Sequence, residues 1–281
     1  MGRDKNGGYT ILEIVIFLTV SSFLFLLAAL AINGKQSQSD FFIGVSDFKT
    51  KIDDVINDIS TGFYPAVNGF KCTSGGKAGS PITVSKSGGK GQATNQDCIF
   101  LGKVLWFDTS GTGTPNYSII TVAANRLGVD GLSVIKLNES NPIGVPFMET
   151  SGALVRAVVV TQVYVNKNPT RSFGIFTDLP QTSSTLTAGS LSTDIVTIPN
   201  SGPGDSLSPA TYNNIKSMST NTVNLNPSVV ICLRLGTTAG SSNRRAAIVI
   251  GSHNRQVTTE THIGDVDDPA VTNFLPGVKC Q

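Results

Sequence analysis

The chain has 281 residues, and 21 Lys and Arg set against 19 Asp and Glu leave a formal net charge of +2. Charged residues make up 14% and apolar residues 40%, against a usual charged share of about 25%; mean hydropathy is +0.10. The near-neutral balance excludes a strongly basic nucleic-acid-binding domain, the hydropathy excludes a polytopic membrane protein, and the apolar, β-branched content excludes a disordered chain. A surface covered by Ser, Thr, Asn and Gly is the expectation, as in many extracellular β-rich proteins.

The apolar content is unevenly spread. Residues 1–8 carry Arg3, Asp4 and Lys5, and then no charge occurs from Ile14 to Gly34, 21 positions in all. As a helix rising about 1.5 Å per residue, this run is about 31 Å long, enough to cross a bilayer core. Thr19, Ser21 and Ser22 are tolerable there, because a hydroxyl can bond back to a carbonyl of the preceding turn. A buried helix of a globular domain usually carries a polar stripe, and this run has none. A cleavable secretory signal is the competing assignment, with an A-x-A-like site at Ala29–Ala31. The run is longer than an ordinary signal core and leads into an amphipathic segment, which argues against cleavage there.

In front of the run stands Gly7-Gly8-Tyr9-Thr10-Ile11-Leu12-Glu13. It resembles the class III leader of type IV prepilins and pseudopilins, in which a short basic leader ends in Gly before an aromatic residue. The resemblance implies cleavage between Gly8 and Tyr9 by a prepilin peptidase, N-methylation of Tyr9, and Glu13 as the fifth mature residue. In that family the Glu meets the N-terminal amine of a neighbouring subunit during assembly. Two features depart from the family: Tyr replaces the usual Phe, and the run lacks the late Pro of many major pilins. A carboxylate beside an apolar span is costly and by default functional, although a Glu at the membrane edge can also snorkel into the interface.

Beyond Gly34 the chain stays helical in pattern. Phe41, Val45, Phe48, Ile52, Val55 and Ile59 recur at spacings of three and four, a one-sided apolar stripe. Lys49 and Asp53 form an i,i+4 pair on its flank, and Gly62 is a stop signal. Residues 9–61 are therefore expected to form one long helix, half membrane and half amphipathic, with Gly34 and Gly44 as sites of bending. The stripe is expected to pack on a β-sheet, with a coiled-coil dimer as the competing arrangement.

From Phe63 the helical period ends. Strands are expected at Pro81–Ser85, Cys98–Asp108, Tyr117–Ala123, Leu132–Leu137, Leu154–Val165, Ser172–Thr177, Asp194–Ile198, Val229–Leu235, Ala246–Gly251 and Gln256–His262. Stretches 73–97, 180–193 and 200–226 are rich in Gly, Ser, Thr and Asn and are expected as loops. The predicted fold class is α+β: a long N-terminal helix packed on a β-rich head of two sheets, the pilin fold by resemblance. The expected divisions are 1–8 leader, 9–34 membrane half, 35–62 amphipathic half and 63–281 head.

All four cysteines, Cys72, Cys98, Cys232 and Cys280, fall in the head. An even count there points to two disulfides in an oxidising compartment, with three connectivities open. Cys72–Cys98 across a Gly- and Lys-rich loop and Cys232–Cys280 at the C-terminus are the favoured pairs. A zinc site lacks both a C-x-x-C spacing and a nearby His. Pilins often staple their C-terminal region in this way, and Cys232-Leu-Arg-Leu followed by a Gly/Ser loop and Arg244-Arg245-Ala-Ala-Ile-Val-Ile resembles the last hairpin of GspH/FimT-type minor pilins.

Catalytic signals are poor. His253 and His262 are the two histidines, and no G-x-S-x-G elbow accompanies them. Gly88-Gly89-Lys90-Gly91 lacks the spacing and context of a phosphate loop. Asp265, Asp267 and Asp268 are a weak calcium candidate without the order of an EF-hand. Arg244, Arg245 and Arg255, with Arg234 nearby, are candidates for DNA phosphate contacts, set against a scattered polar face.

The expectation is a structural, non-catalytic subunit without a cofactor, a minor pilin of a type IV pilus-like filament. It is held in the cytoplasmic membrane with its head outside before joining an extracellular filament. The resemblance implies as partners other pilin subunits through the N-terminal helix, the peptidase, and an assembly platform with its ATPase. A type II secretion pseudopilin, a DNA- or surface-binding minor pilin, and a single-pass anchored β-domain without a filament are the alternatives.

Overall fold

A computed structural model describes residues 10–61, 71–73, 83–85, 98–108, 113–125, 129–130, 133–134, 143–177, 193–197, 210–211, 228–236, 244–253, 256–265 and positions 268, 278 and 280. Helix α1 (Ile11–Thr61) runs unbroken for 51 residues, about 77 Å at helical rise. It contains no proline, and neither Gly34 nor Gly44 interrupts it.

The head follows as short strands β1 (Lys71–Thr73) and β2 (Thr83–Ser85), long strands β3 (Cys98–Phe107) and β4 (Asn116–Asn125), and short strands β5 (Val129–Asp130) and β6 (Ser133–Val134). Next come β7 (Ile143–Ala153), β8 (Val158–Val165), β9 (Asn168–Thr170), β10 (Ser172–Thr177), β11 (Thr193–Thr197) and β12 (Ala210–Thr211). The last three are β13 (Ser228–Leu235), β14 (Arg244–His253) and β15 (Gln256–Asp265). They make a six-stranded antiparallel sheet, β11-β10-β3-β4-β7-β12, a five-stranded antiparallel sheet, β15-β14-β13-β8-β9, and two small pairs, β1-β2 and β5-β6. The architecture is α+β, with one long helix and two principal sheets.

One core joins all three layers. Phe41, Val45, Phe48, Ile52, Val55 and Ile59 are each no more than 3% exposed, so the whole predicted stripe is buried. It packs with Leu105, Phe107, Tyr117, Phe173 and Ile175 of the six-stranded sheet, and with Val158, Val160, Val163, Ile231, Leu233 and Ile248 of the five-stranded one. The Phe48 ring lies edge-on to Phe107 at 6.1 Å and tilted to Tyr117 at 5.5 Å. The helix thus replaces the direct sheet-on-sheet contact of a sandwich along this line. Burial against two sheets, and not pairing with a second helix, accounts for the stripe.

Polar contacts set the helix's rotation. The last turn of α1 holds no basic residue, and Lys103 of β3, itself 5% exposed, pairs with Asp58. The cation lies near the helix C-terminus, where the macrodipole favours positive charge. Asp53 accepts from Lys49 at 2.6 Å and from the Thr259 hydroxyl of β15.

Two strand expectations need correction. The run Leu154–Val165 is not one strand: residues 154–157 form a turn, and β8 starts at Val158. The 11-residue strand β7 was not expected at all. Gly144, Pro146, Glu149 and Gly152 hide its period, and its pairing with β4 shifts register beside Pro146, between Thr121 and Val122. Pro is admitted at such an irregularity because it donates no ladder bond there.

Candidate functional site

Among the described residues, the feature with most chemical content is the exposed end of α1. Residues Ile11–Ala29 are long and apolar enough to cross a membrane, and none of this span is buried in the molecule. Phe17, Phe23 and Phe25 are 71%, 63% and 78% exposed. A face this apolar on all sides would be excluded from water wherever a lipid or protein surface is offered. Inside the run, the Thr19 hydroxyl donates to the Ile16 carbonyl at 2.9 Å, which satisfies the hydroxyl without solvent.

Glu13 sits in the first turn of this helix. Its carboxylate Oε2 accepts from the Thr10 amide at 3.1 Å and from the Thr10 hydroxyl at 3.2 Å, and the Glu13 amide donates back to Thr10 Oγ1 at 3.3 Å. This reciprocal pair is a capping box. It satisfies two of the donors that a helix start leaves open and places negative charge where the helix dipole favours it. Thr10 is thus the partner of Glu13 at the helix start, at a T-x-x-E spacing that the sequence displays. Gly8 and Tyr9 lie outside the described residues.

The remaining candidates are dispersed over the head. Cys232 of β13 and Cys280 are joined by a disulfide, one of the two favoured pairings. It pins the C-terminal stretch to the outer face of the five-stranded sheet, where Val230, Ala247 and Val278 are buried around it. The backbone of Cys72 lies in β1 and that of Cys98 opens β3, but their side chains lie outside the described ones.

The described candidate arginines lie on both faces of the five-stranded sheet. Arg244 and Arg245 are neighbours on β14 and so project to opposite faces of the sheet. Arg244 pairs with Asp265 at 3.2 Å. Arg245 is opposite Arg234 across the β13–β14 ladder, and Arg255 lies outside the described residues. The Nε atoms of both Arg234 and Arg245 are buried without a hydrogen bond. Burial first, and then the Arg234 charge, pull the Arg245 pKa below its ordinary value. Two like charges directly opposite cost stability.

Asp265 and Asp268 stay close, the Asp268 amide donating to the Asp265 carbonyl at 2.9 Å. Asp265 serves Arg244, Asp268 covers Gly264, where a Cβ would come within 2.4 Å of the Asp268 carboxylate, and Asp267 lies outside the described residues. Among the described residues no group of three His, Cys, Asp or Glu is placed to hold a metal ion. His262 stands 3.9 Å from Glu260 on β15, and His253 ends β14. The Gly88–Gly91 stretch lies outside the described residues. No family model matches the chain, and neither a curated protein nor a solved structure matches it.

Proposed function

We propose that the chain is a membrane-anchored structural subunit, a minor pilin of a type IV pilus-like filament, cleaved after Gly8 and methylated on Tyr9. The head stands outside the cytoplasmic membrane, and the subunit passes from the bilayer into a filament through its apolar helical half. The single observation that carries this reading is the division of one continuous helix. Its first half, Ile11–Ala29, is apolar and wholly uncovered, while its second half is buried between two sheets of its own head. An element built this way needs an apolar environment for one half and a folded domain for the other. Lipid before assembly and bundled helices after it supply the same need, so transfer exposes no apolar surface to water. Glu13 is held by Thr10 in the isolated subunit and would exchange that partner for the amine of a neighbour. The fold is of the pilin type on this reading, and no catalysis or cofactor is part of it.

Mass spectrometry of the protein purified from its native membrane tests the reading. The expected N-terminus is a methylated Tyr9. An intact Met1, or a start just after Ala31, overturns it.

A further inference from the structure

The place where α1 leaves the head carries an unusual turn. Residues Leu154–Val158 connect β7 to β8 and so cross from the six-stranded to the five-stranded sheet. Arg156 and Ala157 have φ of 57° and 55°, and the Val158 amide donates to the Val155 carbonyl at 3.3 Å. This is a type I′ geometry, whose two central places normally belong to Asn, Asp or Gly. For residues with an ordinary side chain the left-handed region is disfavoured; Asn166 and Lys167 of the β8–β9 hairpin also adopt it, at φ of 47° and 70°, and at Arg156 and Ala157 the surroundings help to hold it.

Those surroundings are α1 and both sheets. At Gly44 a Cβ would lie 2.6 Å from Val158 Cγ2 and 2.9 Å from the Val155 carbonyl oxygen, so the turn rests on bare helix backbone. Arg156 Nη1 reaches Asp40 Oδ1 at 2.5 Å. The Ala157 carbonyl accepts from the Gly236 amide just beyond β13. At the same corner the Leu154 amide donates to the Pro115 carbonyl at 2.6 Å, and Thr114 and Val160 exchange two backbone bonds at 3.0 and 2.8 Å. The sheets are therefore stitched together where the helix exits. Asp40 immediately precedes Phe41, the first residue of the buried stripe.

We propose that the Leu154–Val158 turn is a collar that fixes the direction in which the exposed half of α1 projects from the head, with the Asp40–Arg156 ion pair as its catch. The leverage is large. Ile11 is about 45 Å from Phe41 along the helix, so a tilt of about 10° at the exit moves it by about 8 Å. The packed stripe orients the segment inside the head, and contacts at the exit, where Phe41 and Val45 are buried on either side of Gly44, oppose a bend there. A strained turn gripping a glycine supplies a rigid stop, and an exposed ion pair supplies one that can be opened. The collar belongs to the single chain and holds whether the exposed half meets lipid or other subunits, so it fails or stands separately from the filament reading.

The test is hydrogen exchange followed by mass spectrometry on the full chain in detergent micelles. Asp40→Asn and Arg156→Gln are each expected to speed exchange of the amides of residues 40–46 by about five-fold, with β13 and β14 unchanged. The exchanged pair, Asp40→Arg with Arg156→Asp, is expected to restore protection, and Asp tolerates the left-handed region. Unchanged exchange in both single variants overturns the collar. So does an equal rise throughout β13 and β14, which would make the pair a support of the core, or an exchanged pair that restores nothing.

Discussion

Thr10 and Glu13 form the smallest unit with a consequence for the whole helix. Removing the Thr10 hydroxyl by Thr10→Val abolishes the reciprocal bond and costs the helix start about 1 kcal/mol. In detergent, amide exchange over residues 11–14 should rise about five-fold in that variant, with the head unaffected; no change would mean that the box contributes nothing. Arg245 presents the opposite case, a residue whose environment opposes it. Its Nε is buried without a partner and Arg234 lies directly across. Arg245→Met keeps the apolar stem and removes the repelling charge, so denaturant unfolding should show a gain of about 0.5 kcal/mol. A loss would mean that the guanidinium makes contacts worth more than the repulsion. Both pairs illustrate what sequence spacing conveys. Thr10 and Glu13 are local, three residues apart on one helix, and their contact follows from helical geometry. Arg234 and Arg245 meet only because a hairpin brings them into register, while the adjacent Arg244 and Arg245, joined in the sequence by proximity, are parted by the two-residue period of a strand.

At the scale of elements, the two halves of α1 should respond differently to the same change. Phe48→Ala empties a site between Phe107 and Tyr117 and should lower the stability of the head by about 3–5 kcal/mol in urea unfolding. Phe17→Ala, on the uncovered half, should leave that midpoint within error, because its side chain touches lipid or detergent in both states. Equal effects would contradict the division of the helix. The stripe was readable because helical burial repeats every three to four residues over five turns, a long signal that single residues cannot obscure. Strand β10 is legible to its ends for a related reason: Phe173, Ile175 and Phe176 make a short β-forming run, SFGIFT, and Pro180 follows soon after it. Strand β7 was not readable, since its partners on both sides cover it while its own composition, with Pro146 and two glycines, speaks for a loop. Its strand state is imposed by β4 and not by its own preference.

The whole molecule is held at its C-terminal end by Cys232–Cys280, which closes a loop of 48 residues. In the loop-entropy account such a closure contributes about 4 kcal/mol. Reduction, or the double change Cys232→Ala and Cys280→Ala, should lower the unfolding midpoint accordingly without altering the burial of the helix stripe. A midpoint indifferent to reductant would mean that the unfolded chain is no less constrained without the bond. Composition already divided this molecule into an apolar helix and a weakly charged β-rich head, because hydropathy and periodicity are properties of consecutive residues and require no partner. The extent of α1, its buried stripe and most of the long strands follow from such local patterns. Strand order, the passage of β7 into β8 through a left-handed turn, the grip of that turn on Gly44 and the separation of Arg244 from Arg245 were decided by the tertiary structure alone. Each depends on which distant segments share a face or a ladder, and that choice is made by burying the largest common apolar surface, a quantity that no single stretch of the chain contains.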